Sequence, residues 1–295
     1  MKKSLIIVAA AAAILAAPAM AADLPVKAPA YTPAVVAPSY NWSGWYIGGN
    51  AGYGWLNNET AEIFPGSGTG NLFTFPAFPP ATAQSSTISF SGSGGFGGFQ
   101  AGYNYQLQSN WLVGVETDLQ AASIKGSANG TIRTVFSDPF FGLPDWSTTA
   151  GTNIRWFGTM RARVGFLPTD NLLLYATGGF AYGQVERTAN VSSTFAPPGN
   201  TSAGGTFNCA NSSACFLETE RHTQTGWAAG VGAERAFWRS ATMNASLKVE
   251  YLHVDLGGRT LFIPATQPPG VATMIASYSA ARFDMVRIGL NFKLN

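Results

Sequence analysis

The hydrophobic pattern is clearest at the far end of the chain. There Val286, Ile288, Leu290, Phe292 and Leu294 alternate with Arg287, Gly289, Asn291 and Lys293. A strict period of two gives an extended strand one apolar and one polar face. The pattern recurs between Asn153 and Phe166. Ile154, Trp156, Gly158, Met160, Ala162, Val164 and Phe166 share one face; Asn153, Arg155, Thr159, Arg161 and Arg163 lie on the other, interrupted by Phe157 and Gly165. Eight segments of this kind are expected, at 44–56, 94–107, 110–124, 152–167, 170–186, 221–237, 241–256 and 282–294.

The connections between them alternate in length. Short ones fall at 106–110, 167–171 and 237–241, and long Gly/Pro/Ser/Thr-rich ones at 57–93, 125–151, 187–220 and 257–281. A soluble sandwich also alternates apolar and polar residues. Strands of about 10–14 residues, however, suit a tilted membrane crossing, and sorting of short and long connections to opposite ends is the pattern of an outer-membrane barrel. The expected fold is therefore all-β: an eight-stranded antiparallel transmembrane β-barrel with short periplasmic turns and long extracellular loops. An even strand number closes such a sheet without an edge. Trp45, Tyr53, Trp55, Tyr103, Tyr105, Trp111, Trp156, Tyr182, Trp227, Tyr251 and Phe292 fall on or near the apolar faces, where amphipathic rings mark the membrane–water boundary.

Composition agrees with a chain that lives partly out of water. Only 11% of residues are charged, 13% are aromatic and 34 are glycine, the reverse of a disordered chain. Lys2 and Lys3, the apolar run Leu5 to Ala17 and the small residues of Ala19-Met20-Ala21 read as a signal peptide over 1–21. Its removal leaves 15 basic and 15 acidic side chains, a balance that argues against nucleic acid as a partner. Prolines 25, 29, 33 and 38 make 22–40 an extended periplasmic linker, and 41–295 is the barrel. No later stretch supplies the roughly 20 apolar residues of a membrane helix.

The inward faces then list the contents of the lumen. They hold Glu116, Asp118 and Gln120; Arg155, Arg161 and Arg163; Glu234; Lys248 and Glu250; and Arg287 and Lys293. Lone charges in a narrow interior are costly, so these should pair as a network. Glu116 and Asp118 neighbour the arginine-bearing strand, and Glu250 neighbours Arg287. The network could serve as a gate or narrow selective pore, or as a satisfied polar core that lets a small barrel close; the second is preferred.

Other candidate chemistry is sparse. Gly48, Gly49, Gly52 and Gly54 suggest a phosphate loop only if a strand precedes them and a helix follows. Instead YIGGNAGYGW (46–55) is echoed by FGGFQAGYNY (96–105), as expected of paired strands. The two histidines, His222 and His253, are too far apart in sequence to suggest a metal site, and no nucleophile stands out beside His253 and Asp255. Cys209 and Cys215, in NCANSSAC, are expected to form a disulfide that staples a loop.

A family resemblance rests on several motifs taken together: the signal peptide followed by ADLP and a Pro-rich linker, Trp42-Ser43-Gly44-Trp45-Tyr46-Ile47-Gly48, Asn50-Ala51-Gly52-Tyr53, LYATGGFAYG (174–183) and VRIGLNFKL (286–294). In these the chain resembles the small outer-membrane β-barrel proteins of alphaproteobacteria, the porin-family or outer-membrane immunogenic proteins with an OmpA-like barrel. It departs in ending Phe292-Lys293-Leu294-Asn295 rather than on an aromatic residue. The resemblance implies an outer-membrane surface antigen that supports envelope integrity, with links in some members to host interaction or haemin binding. The expectation is thus a non-enzymatic structural barrel without cofactor or metal, with weak passive passage of small solutes as an additional property. The alternative is a receptor or adhesin working through the long loops. Its partners would be outer-membrane lipid, the outer-membrane assembly machinery and host surface molecules, and not nucleic acid.

Overall fold

The computed structural model describes residues 40–66, 82–83, 85–107, 110–132, 134–135, 146–192, 214–240, 242–266 and 269–294. The strands in chain order are β1 (Gly44–Leu56), β2 (Glu59–Pro65), β3 (Thr82–Ala83), β4 (Ser86–Phe90), β5 (Gly92–Gln106), β6 (Trp111–Ile132) and β7 (Thr134–Val135). They continue with β8 (Trp146–Thr169), β9 (Leu172–Ser192), β10 (Ala214–Arg239), β11 (Met243–Asp255), β12 (Arg259–Thr266), β13 (Pro269–Tyr278) and β14 (Arg282–Leu294). Eight of them pair in the order β11-β14-β1-β5-β6-β8-β9-β10, and β10 pairs with β11 to close the ring. Every pairing in the ring is antiparallel. The expected eight-stranded architecture is therefore present.

The outer face is apolar over a limited height. On β6 it carries Trp111, Val113, Val115, Leu119 and Ala121, then turns polar at Ser123, Lys125, Ser127 and Asn129. On β8 it runs from Phe166 through Val164, Ala162 and Met160 to Trp156. Each run matches the roughly 9–11 residues a tilted strand needs to cross the hydrocarbon core. Aromatic rings pair across strands at both margins of the band. Trp45–Tyr103 and Trp111–Phe166 lie near the short turns, at 5.1 and 5.6 Å. Trp156–Tyr182 lies toward the long connections, at 6.1 Å.

Several strands continue well past that band: β8 has 24 residues and β10 has 26. The regions 57–93, 125–151, 187–220 and 257–281 are expected as loops, yet most of their described residues are strand. The extensions of β6, β8, β9 and β10 are joined by β12, β13, β2 and β4, which pair in that order outward from β10. The reason is legible in retrospect. β2 (ETAEIFP) turns Ala61 and Ile63 inward, β4 (STISF) turns Ile88 and Phe90, and β12 (RTLFIPAT) turns Leu261, Ile263 and Ala265. Small and polar residues disguised a period-two pattern as loop composition.

The interior is consequently layered. Along β6 it passes from Leu112 to Glu116 and Asp118, then Ile124, then Ile132. Leu112 belongs to an apolar layer at the short-turn end with Tyr40, Trp42, Leu167, Leu173 and Ala236. Ile124 belongs to a middle layer in which Phe157 packs edge-on against Phe96 and Phe283, at 5.4 and 5.3 Å. Ile132 belongs to an upper layer with Phe216, Ile263 and Met274. Burial of apolar area holds each layer, so the ring is filled with side chains, as eight strands allow.

Candidate functional site

The charged side chains lie between the first two apolar layers. In the ladder Glu116 is opposite Arg161, and Glu250 is opposite Arg287. Arg161 reaches Glu116 at 2.7 Å, Glu250 at 2.9 Å and Asp118 at 3.0 Å. Arg287 donates from Nη1 to Asp118 at 2.9 Å and from Nε to Glu250 at 2.5 Å, and reaches Glu116 at 3.2 Å. Lys248 Nζ donates to both oxygens of Glu116, at 2.8 and 2.9 Å. Arg163 donates to Glu234 at 2.9 Å, and its guanidinium lies 4.0 Å from the centre of the Tyr175 ring.

Two residues expected in this network lie outside it. Arg155 is 47% exposed and pairs with Glu186 on the outer face. A bulge in β8 between Ile154 and Trp156 reverses the parity of the strand above it. Ile154 therefore turns inward, and Asn153 turns outward to donate to Glu186. Lys293 sits at the short-turn end, where Nζ donates to the Asn41 carbonyl at 2.5 Å and approaches the Tyr40 ring. Without them the cluster holds four acids (Glu116, Asp118, Glu234, Glu250) and four bases (Arg161, Arg163, Lys248, Arg287), a neutral set.

Neutral partners complete the cluster. Tyr46 donates to Glu116 at 2.7 Å and accepts from Arg163 at 2.8 Å. Ser246 and Asn291 donate to Glu234 at 2.5 and 2.9 Å, and Tyr175 donates to Glu250 at 3.2 Å. Tyr46 needs the space opposite it: a Cβ at Gly102 would run into its hydroxyl. Tyr46, Ser246 and Asn291 sit at inward positions of their strands, so parity could have found them. A second ionic pair was beyond that reach. Glu59 and Arg187, both buried, meet at 3.0 Å between the middle and upper apolar layers, and Glu59 comes from a region expected to be loop.

The remaining candidates are scattered. The glycines of GWYIGGNAGYGW lie within β1 and open no helix. His253 Nδ1 is 2.7 Å from Asp284, which also accepts from Tyr251 and Asn57. His222 is 2.7 Å from Glu220. Among the described residues no three His, Cys, Asp or Glu side chains converge as metal ligands. Cys215 is disulfide-bonded, while Cys209 lies outside the described residues, as do 1–39 with the expected signal peptide and most of the linker.

This geometry, a closed ring with an apolar exterior and an ion-paired interior, is that of a membrane barrel. A family model, the outer membrane protein beta-barrel domain, matches residues 7–292. The chain belongs to this outer-membrane β-barrel family. The barrel protein is 34% identical over 292 residues to the 31 kDa outer-membrane immunogenic protein of Brucella melitensis, an alignment covering 98% of each chain. It is 26% identical over 266 residues to the 25 kDa outer-membrane immunogenic protein of Brucella abortus, covering 90% of this chain and 89% of the other. Among solved structures it aligns with the outer membrane protein OprG of Pseudomonas aeruginosa, with a TM-score of 0.37 and 14% identity over 85% of this chain and 97% of the other. It is an outer-membrane protein, and these relatives carry the name outer-membrane immunogenic protein.

Proposed function

We propose that this protein is a sealed structural barrel of the outer membrane: it spans and stiffens the envelope without conducting solutes or catalysing a reaction. The observation that carries this reading is the unbroken filling of the interior. Trp42, only 2% exposed, is wedged under the ring at the short-turn end and donates from its indole nitrogen to the Asp170 carbonyl. Above it the neutral ion-pair layer and two further apolar layers follow in sequence. Solute passage would require one of these layers to open. The refolded protein in a planar lipid bilayer is expected to give no stepwise conductance above background; regular steps would refute the sealed barrel.

A second role, surface presentation, is favoured by the strand-built upper part. The segments 67–81, 136–145 and 193–213 connect to strands that rise beyond the apolar band. In this reading the upper strands form a stiff platform that rises beyond the lipid, which suits a surface that other cells or molecules meet.

A further inference from the structure

The bulge that turns Arg155 out of the lumen interrupts a ladder, and bulges of this kind re-aim a side chain. What it aims is a guanidinium, directly above Trp156 at the upper margin of the apolar band. The same outer face carries a row in register: Lys125 opposite Asn153, Asn153 opposite Glu186, and Glu186 opposite Arg221. Arg155 Nη1 donates to Glu186 at 3.2 Å, Asn153 Nδ2 donates to it at 3.4 Å, and Arg221 Nε donates to the same carboxylate. The hydrogen bond from Arg221 holds the Glu186 carboxyl below its usual range, so it stays ionised.

Glu186 thus braces two arginines without neutralising them. Arg155 and Arg221 are 47% and 58% exposed, and their remaining nitrogens have no partner among the described residues. With Lys125 the row carries three positive charges against one negative. The opposite flank differs: there Arg282 has its own Asp255 at 2.8 Å, and His253 has Asp284. The excess positive charge therefore sits on one side of the barrel, facing outward, at the height where the outer face passes from apolar to polar.

We propose that Lys125, Arg155 and Arg221 form a binding site for the phosphate groups of an anionic glycolipid of the outer leaflet, with the long-connection end of the barrel at the cell surface. A lipid is the occupant that fits, because its acyl chains would lie along the apolar band while its headgroup phosphates meet the guanidiniums. Arginine matches phosphate through paired N–H donors. Asn153 adds a neutral donor, and Glu186 sets the spacing of the two arginines at the cost of some repulsion toward the anion. Lys125, at the far end of the row, supplies a point charge for a second phosphate.

The test titrates the full-length refolded protein in detergent with bisphosphorylated lipid A, and with the same lipid stripped of its phosphates, reading retained lipid by native mass spectrometry. Each surface cation is worth about a fivefold gain for an anionic lipid, so the phosphorylated form should bind on the order of twentyfold more tightly than the stripped one. The double variant Arg155→Gln/Arg221→Gln should lose that preference, and Arg282→Gln, on the opposite flank, should keep it. Glu186→Gln should tighten phosphorylated-lipid binding by about fivefold, a gain that misfolding could not imitate. Equal binding of the stripped lipid, or a double variant that binds like the wild type, would overturn the site. So would complete displacement of the lipid by millimolar inorganic phosphate, which would point to a soluble anion instead.

Discussion

Glu116 is the residue on which most of the interior converges, with Arg161, Arg163, Lys248, Arg287 and Tyr46 all within reach of its two oxygens. A buried network of this kind adds little net stability compared with an apolar core, but removing one member leaves partners charged and unpaired. Glu116→Gln is isosteric and should destabilise the barrel by about 3–5 kcal/mol. The measurement is equilibrium unfolding in denaturant in a fixed detergent, and an unchanged midpoint would show that the bases find other partners. The inward placement of Glu116, Arg161, Lys248, Glu250 and Arg287 was readable from strand parity alone. The convergence of Arg161, Arg163, Lys248, Arg287 and Tyr46 on the Glu116 carboxylate was not, because it depends on the shear that sets residues from five strands at one height.

At the scale of the element, β8 shows how a one-residue irregularity redirects a strand. Below the bulge its odd-numbered residues face inward, as Phe157, Thr159, Arg161 and Arg163 do; above it the even-numbered Ile154, Thr152 and Ala150 do. A one-residue slip exchanges the two faces of a strand. Deleting Arg155 would remove the extra residue and join the two halves in one unbroken alternation, with Ile154 inward beside the outward Trp156 and neither half changing faces. What the deletion removes is the outward guanidinium and the local bend of the bulge, so both halves should keep their cores. Limited proteolysis is expected to find the upper strands of the deletion variant as resistant as those of the wild type, and the membrane half should keep its compact, heat-modifiable gel mobility. Faster cutting in the upper strands would mean that their pairing with β9 depends on the bulge. The sequence carried the alternation on both sides of Arg155 but no mark of the reversal, since the cost of an unpaired residue is decided by the neighbouring β9.

For the whole molecule the upper strands raise a question of pH. Glu59 is buried between apolar layers, and its ion pair with Arg187 is poorly aligned: neither carboxylate oxygen has a well-directed hydrogen bond. Burial outweighs the attraction of Arg187 and raises the Glu59 carboxyl above its usual range. A carboxyl raised on folding binds its proton more tightly in the folded state, so its contribution to stability is greatest at low pH and falls as pH climbs through the window between the ordinary and the raised value. Protease resistance of the upper strands should decline across that window, and Glu59→Gln should flatten the decline. A wild-type profile that rises instead would invert the assignment. The proposed sealing of the lumen makes the companion prediction at this scale, the absence of conductance.

The sequence by itself determined the membrane part: the eight long strands, their alternating faces, the aromatic margins and most of the charges that fill the lumen. It could do so because a strand facing lipid on one side and a narrow interior on the other admits little departure from period two. The tertiary structure decided where that rule stops. It alone shows that a bulge carries Arg155 to the surface and that Lys293 serves the short-turn end, which leaves the interior neutral. It also shows that regions composed like loops become strands once neighbouring extensions offer them a ladder and a shared apolar core. These outcomes depend on pairing partners distant in the chain, and local pattern cannot report what a distant partner supplies.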